Sequence, residues 1–126
     1  MDPFLQESVQ RTDAQVKRVA EQAMEYIRQY YMKDISPESC AEDTDTTLFF
    51  LSASFKQVTG KNFMDFLMEV RMEKAKELLR DTDLLISDVA ELSGFQHSNF
   101  HRIFKKLEGM NPTQYKESSR ENGLGS

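Results

Sequence analysis

The chain has 126 residues, enough for one domain or two very small lobes and too few for a doubly wound or barrel enzyme of ordinary size. A lone cysteine, Cys40, excludes a disulfide scaffold and fits a reducing compartment, and no run of about 18 apolar residues exists to cross a membrane. With 16 Lys and Arg against 21 Asp and Glu the net charge is −5, a balance that taken alone argues against a polyanionic partner.

The start, Met1-Asp2-Pro3-Phe4, lacks the basic-then-apolar build of a signal peptide. From there the chain reads as all-α, with no strand-like alternation and with helix punctuation at short intervals. Val16, Val19, Ala23, Met24, Ile27 and Tyr30 recur at three and four residues and predict a first helix over about Thr12–Lys33. Ser36-Pro37-Glu38 opens a short second helix, with Ser36 as N-cap and Pro37 at the first helical position. A third runs from about Thr47 to Val58 and stops at Gly60. Asn62 caps a long fourth, Phe63–Arg80, which buries Phe66, Leu67, Val70, Ala75, Leu78 and Leu79. Ser87 is expected to cap a fifth, ended by Gly94, and a sixth spans about Ser98–Glu108 before Gly109. Asn111-Pro112 opens the seventh, through about Glu117, and the polar Glu121–Ser126 is expected to fray.

An internal repeat organises these helices. Shifted by 49 residues, the chain matches itself without a gap: Ala41 on Ala90, Leu51 on Phe100, Phe55-Lys56 on Phe104-Lys105, Gly60 on Gly109, Asn62 on Asn111, Phe66 on Tyr115. Each copy has the internal spacing of a helix-turn-helix. In the second, Ala90 permits close helix approach, Gly94 takes a left-handed turn, and Phe100 and Ile103 anchor the recognition helix on the core. In the first, the same slots hold Ala41, Asp45, Leu51 and Ser54. Aspartate tolerates the left-handed conformation better than most residues, whereas Ser54 at an apolar slot weakens the packing.

Three stretches carry a resemblance to a known family: I35-S-P-E-S-C-A with L51-S-A-S-F-K-Q-V-T-G60, then R71-M-E-K-A-K-E-L-L79, and I86-S-D-V-A-E-L-S-G-F95 with F100-H-R-I-F-K-K106 and G109-M-N-P-T-Q-Y115. Over about residues 20–117 the chain resembles the AraC/XylS-type DNA-binding domain, and the Arg71–Leu79 segment looks most like the YesN-like response-regulator branch. The resemblance implies seven helices in two helix-turn-helix lobes held by a long connecting helix, each lobe placing a recognition helix in the major groove. It divides the chain into an N-terminal extension (1–20), a first lobe (21–60), a connecting helix (61–82), a second lobe (83–117) and a flexible tail (118–126). Two departures stand out. The turn before the second recognition helix is one residue shorter than usual, so that helix should begin a residue early or the turn be tighter. The first recognition helix begins Thr47-Leu48-Phe49-Phe50 where polar residues are the norm, and carries Ala53 where a base is frequent.

A recognition helix meets bases through its N-terminal residues and those one turn later. In the second lobe these are Gln96, His97, Ser98, Asn99, His101, Arg102 and Lys105, with Lys106 and Lys116 as further phosphate contacts. Gln pairs bidentately with adenine and Arg with guanine, and Ser98 or Asn99 donates to phosphate or caps the helix. The alternative for Arg102 is a salt bridge to Glu91 or Glu108. In the first lobe only Thr47, Ser52 and Lys56 can hydrogen-bond; Leu48 and Phe49 either touch thymine methyls, or one covers core while the other meets a partner chain. His97 and His101 stand four apart on one face, but two ligands without a third make no metal site. Cys40 reads as a small packed hydrophobe, and no nucleophile–base pair, phosphate loop or cofactor box is found, so neither an enzyme nor a cofactor is expected.

The leading reading is therefore a transcription regulator's module that binds double-stranded DNA in a bacterial cytoplasm, on the nucleoid, and recruits or excludes RNA polymerase. The first helix, longer than the lobe needs, links to a receiver or sensor domain, packs in a homodimer, or is simply the lobe's own first helix extended. The rival reading is a helix-turn-helix-derived protein–protein interaction module with weakened DNA binding. The charge no longer opposes DNA: residues 1–54 carry 10 acids and 5 bases, residues 55–126 carry 11 of each, and over 97–116 four bases face Glu108 alone.

Overall fold

The computed structural model describes residues 12–124, and side chains from Thr12 to Arg120. Residues 1–11 of the expected extension and 125–126 of the expected tail lie outside the described residues. Among those described there are seven helices and no strand: α1 (Asp13–Tyr30), α2 (Pro37–Asp43), α3 (Leu48–Thr59), α4 (Phe63–Asp81), α5 (Ile86–Leu92), α6 (His97–Glu108) and α7 (Pro112–Leu124).

Side-chain caps start most of them by accepting amides that have no partner inside the helix. The Ser36 hydroxyl accepts from Ser39 N–H at 3.1 Å while Ser36 N–H donates to Ser39 Oγ at 3.0 Å, a reciprocal capping box. Thr47 Oγ1 accepts from Phe50 N–H, Asn62 Oδ1 from Asp65 N–H, and Asn111 Oδ1 from Gln114 N–H. The repeat governs the boundaries: α2 and α5, and α3 and α6, start and end 49 residues apart, as do the starts of α4 and α7. The turns match too. Asp45 (φ +53°) and Gly94 (φ +87°) hold the same left-handed corner, as expected for both.

Four boundaries differ from expectation. The N-cap of α5 is Leu85, not Ser87: the repeat puts the cap opposite Ser36, and Leu85 supplies extended backbone but no side-chain acceptor. Helix α6 starts at His97, a residue early, in keeping with the short turn. Helix α1 stops at Tyr30 rather than near Lys33, because the next carbonyls are taken by a side chain described below. Helix α7 continues past Glu117 to Leu124, and Arg120 anchors it by donating to Thr82 O at 2.7 Å and pairing with Asp83.

The contacts divide the chain into two units. Of the described residues, one comprises those through Tyr30 with Ile35–Leu67; the other comprises Tyr31–Asp34 with those from Met68, so α4 begins in the first and ends in the second. The first unit buries Ala20, Ala23 and Ile27 of α1, Cys40 and Ala41 of α2, Leu51 and Phe55 of α3, and Phe63 and Leu67 of α4. Phe55 meets Phe66 edge-on at 5.3 Å, and the Arg28 guanidinium lies over Phe66 at 5.7 Å. Ser54 is 1% exposed, and its hydroxyl has no hydrogen-bond partner among the described residues. The second unit has a fuller core. Met72, Ala75, Leu79, Val89 and Ala90 surround an aromatic row, Phe95–Phe100–Phe104–Tyr115, at centroid spacings of 5.2, 5.7 and 5.5 Å.

Candidate nucleic-acid interface

Helix α6 is amphipathic in the strict sense that its two faces do different work. Phe100 and Phe104 are buried, with Ile103 half-buried beside them, and this fixes the helix on the second unit's core. The opposite face carries His97, Ser98, His101, Arg102, Lys105 and Lys106, all exposed, with Gln96 exposed at the N-cap. The structure thus brings Gln96, His97, Ser98, Asn99, His101, Arg102, Lys105 and Lys106 onto one helix and its N-cap, with Asn99 alone of these half-buried; Lys116, the other phosphate contact expected in this lobe, lies half-buried on α7.

Local chemistry leaves this face open to an anion. Gln96 makes no side-chain bond to the first-turn amides, and no acidic residue lies in that turn, so the helix's own first turn leaves its partial positive charge open; Asp34 and Glu91 line a groove beside it. Asn99 Nδ2 instead donates to Gln96 Oε1 at 3.3 Å. Bidentate pairing of Gln96 with adenine needs both ends of its amide, so base reading would release Asn99 to a second acceptor. Arg102 pairs with neither Glu91 nor Glu108; Glu108 is held by Lys76 at 3.4 Å. Lys76 is in consequence raised by Glu108 and Glu73, against the lowering effect of its burial.

Helix α3 presents a poorer set. Thr47 spends its hydroxyl oxygen on the cap, and Lys56 Nζ donates to Gly60 O at 3.2 Å, closing its own helix end. Ser52 is exposed. Leu48 is 41% and Phe49 83% exposed, while Phe50 turns half inward, so neither of the first two is spent covering core. Exposed Glu42, Asp43 and Asp45 precede the helix and would repel phosphate. His97 and His101 have no third ligand among the described residues. Cys40 is fully buried; desolvation, with Asp43 adding to it, pushes its thiol up to about 12 and leaves it a packing group.

Sequence reasoning missed one polar side chain near α6. Arg71 of α4 donates from Nε to Tyr31 O at 2.8 Å and from Nη2 to Lys33 O at 2.9 Å. Its place at the head of the Arg71–Leu79 segment was the available signal, but an arginine on a helix gives no hint of carbonyls 38 and 40 residues away.

Comparison with known proteins agrees with this geometry. The helix-turn-helix domain family matches residues 40–118. YtdP, an HTH-type transcriptional regulator of Bacillus subtilis, is 31% identical over 121 residues, covering 95% of this chain, which spans only 16% of its length. The C-terminal domain of AraT, a response regulator from Geobacillus stearothermophilus, is 36% identical with a TM-score of 0.76, over 79% of this chain and 84% of that one. The C-terminal domain of the two-component response regulator yesN from Fusobacterium nucleatum is 35% identical with a TM-score of 0.71, over 76% and 95%. With two helix-turn-helix units of matching boundaries and these relatives, the chain belongs to the helix-turn-helix domain family of the AraC/XylS type.

Proposed function

We propose that this chain is the DNA-binding output domain of a bacterial transcription regulator and has no catalytic activity of its own. The observation that carries the reading is the outer face of α6, where Gln96, His97, Ser98, His101 and Arg102 sit exposed above Lys105 and Lys106. In this reading α6 enters the major groove, Gln96, with Asn99 freed beside it, and Arg102 read base edges, and the lysines bind phosphate. The second lobe (83–117) does most of this work. The first lobe (21–60) adds backbone contacts through Thr47, Ser52 and Lys56, and the 61–82 helix joins the two. Similarity to two response-regulator C-terminal domains favours a receiver domain upstream. In the same reading an N-terminal region pairs with a second copy, and the chain acts on RNA polymerase in the cytoplasm, at the nucleoid.

Fluorescence anisotropy against salt tests it. Contacts to roughly 4–6 phosphates give a log–log slope of about −4 to −5. Failure to bind any duplex in a salt-sensitive way overturns the reading. A second reading, a protein-interaction module, rests on Phe49, 83% exposed at the head of α3. A stable complex with a protein partner, lost on Phe49→Ser and formed without DNA binding, would establish that alternative instead.

A further inference from the structure

The two units are copies, yet among the described residues only the second has a strap across its turn. Residues Tyr31–Asp34, which follow α1 in the chain, belong by their contacts to the second unit. Arg71 holds them there through the two carbonyl bonds, at 2.8 and 2.9 Å. The same two partners close on the helix-turn-helix corner. A Cβ built on Gly94 would lie 2.6 Å from Tyr31 O and 2.8 Å from Arg71 Nε, so backbone, guanidinium and turn are packed with no room for a side chain. Gln96, the N-cap of α6, follows two residues later. Beside the clasp an open groove of about 540 Å³ is walled in part by Arg71, Gln96 and Asn99.

The first unit shows what the turn requires by itself. Shifting by 49 places Asp45 opposite Gly94 and Gln22 opposite Arg71. Asp45 holds the same left-handed corner with an exposed side chain, and Gln22 is exposed. Both line an open groove of about 370 Å³ rather than a packed clasp. A helix-turn-helix corner of this length therefore forms without an arginine or a strap. The clasp in the second unit needs another reason, and it sits on the unit whose recognition helix carries the polar reading face.

We infer that Arg71 is a positioning residue for base reading: by clamping the 31–34 strap over Gly94 it fixes the turn from which α6 departs, and with it the aim of Gln96 and Asn99. The inference rests on the proposal that α6 reads DNA. Without the fork of Arg71 the two carbonyls lose their donors, the strap lifts, and the corner gains freedom. Bases are then contacted over a range of orientations, while phosphate attraction, which tolerates such freedom, persists.

The test uses the 126-residue chain and duplexes that the wild type enriches from a random-sequence library, each paired with its single-base variants and with a non-enriched duplex. Anisotropy gives the ratio of specific to non-specific affinity, and far-UV circular dichroism with urea melts reports the fold. Arg71→Met is expected to lower that ratio about tenfold at unchanged non-specific affinity and salt slope. Arg71→Lys, which keeps the charge and one donor, should recover part of the loss, and Gly94→Ala, which crowds the same corner, should reproduce it. A merely structural role would shift the urea midpoint and leave the ratio alone, and that result overturns the inference, as does loss of folding in both Arg71 variants. Enrichment of no sequence by the wild type overturns the DNA reading and the inference with it. A discriminating wild type whose ratio survives Arg71→Met overturns the inference alone.

Discussion

Arg102 and Lys105 share one face of α6 but should fail differently when removed. Arg102 is exposed and has no ion-pair partner among the described residues, and an arginine reading guanine is worth about 1–3 kcal/mol at one base pair. Arg102→Ala is thus expected to weaken specific binding by that amount and relax preference at a single position, as sequencing of selected duplexes would show. Lys105→Ala should weaken all sequences alike and flatten the salt slope by about 0.9, because it removes one phosphate contact and no base contact. In the cores, Ser54 and Ser93 are buried with unpartnered hydroxyls. An unsatisfied buried polar group costs about 1–3 kcal/mol, so Ser54→Ala should raise stability by about 1 kcal/mol in urea denaturation. The polar slots of α6 and the weakness at Ser54 were legible because helical periodicity says which side of a residue faces the core. The use of Lys56 to close its own helix and of Asn99 to hold Gln96 was not. Both depend on rotamers, and a sequence specifies which groups can bond rather than which do.

Among the helices, glycines with near-identical backbones separate conformation from contact. Gly60 and Gly94 have φ of +77° and +87°, but a Cβ at Gly60 meets nothing within 4 Å while one at Gly94 meets two atoms under 3.0 Å. Gly60→Ala should cost about 1–2 kcal/mol for the left-handed backbone. Gly94→Ala should cost at least about 1 kcal/mol more in the same urea titration, and equal losses would mean the corner relaxes freely. The end of α7 depends on Arg120, which holds Asp83 below the usual carboxylate range by hydrogen bond and charge. A lowered folded value means the stabilisation is present above the ordinary aspartate pKa of about 3.9 and fades as pH falls through the depressed one. Amide exchange over 113–120 should therefore be faster in Arg120→Gln than in the wild type at pH 7, and the two should converge in strong acid. Why α7 extends past Glu117 was hidden in the sequence, since its anchor is a tertiary pair 37 residues apart. The misplaced cap at Ser87 has a plainer cause: a good capping residue competed with the repeat, and the repeat decided the boundary.

At the scale of the whole chain, net charge was a poor guide and charge placement a good one. The first 54 residues hold the entire excess of −5, and the described helix with the open polar face carries Lys105 and Lys106 in its last turn and no acid in its first. The repeat was legible because Phe55, Gly60, Asn62 and Phe66 recur at one offset as Phe104, Gly109, Asn111 and Tyr115; the strap was not, because among the described residues it belongs to one copy. Matching boundaries make the two reading helices spare parts for one another. Residues 96–107 can stand in for 47–58 without changing the length of any loop, delivering Phe100 and Phe104 to the sites of Leu51 and Phe55 and apolar Ile103 to the buried site of Ser54. Such a chimera forfeits the Thr47 cap, about 1 kcal/mol, and removes the unpartnered Ser54 hydroxyl in return. Where the native chain should pick out one word of DNA with its second lobe, the chimera should pick out that word twice, a change of vocabulary that selection from a random library would read directly.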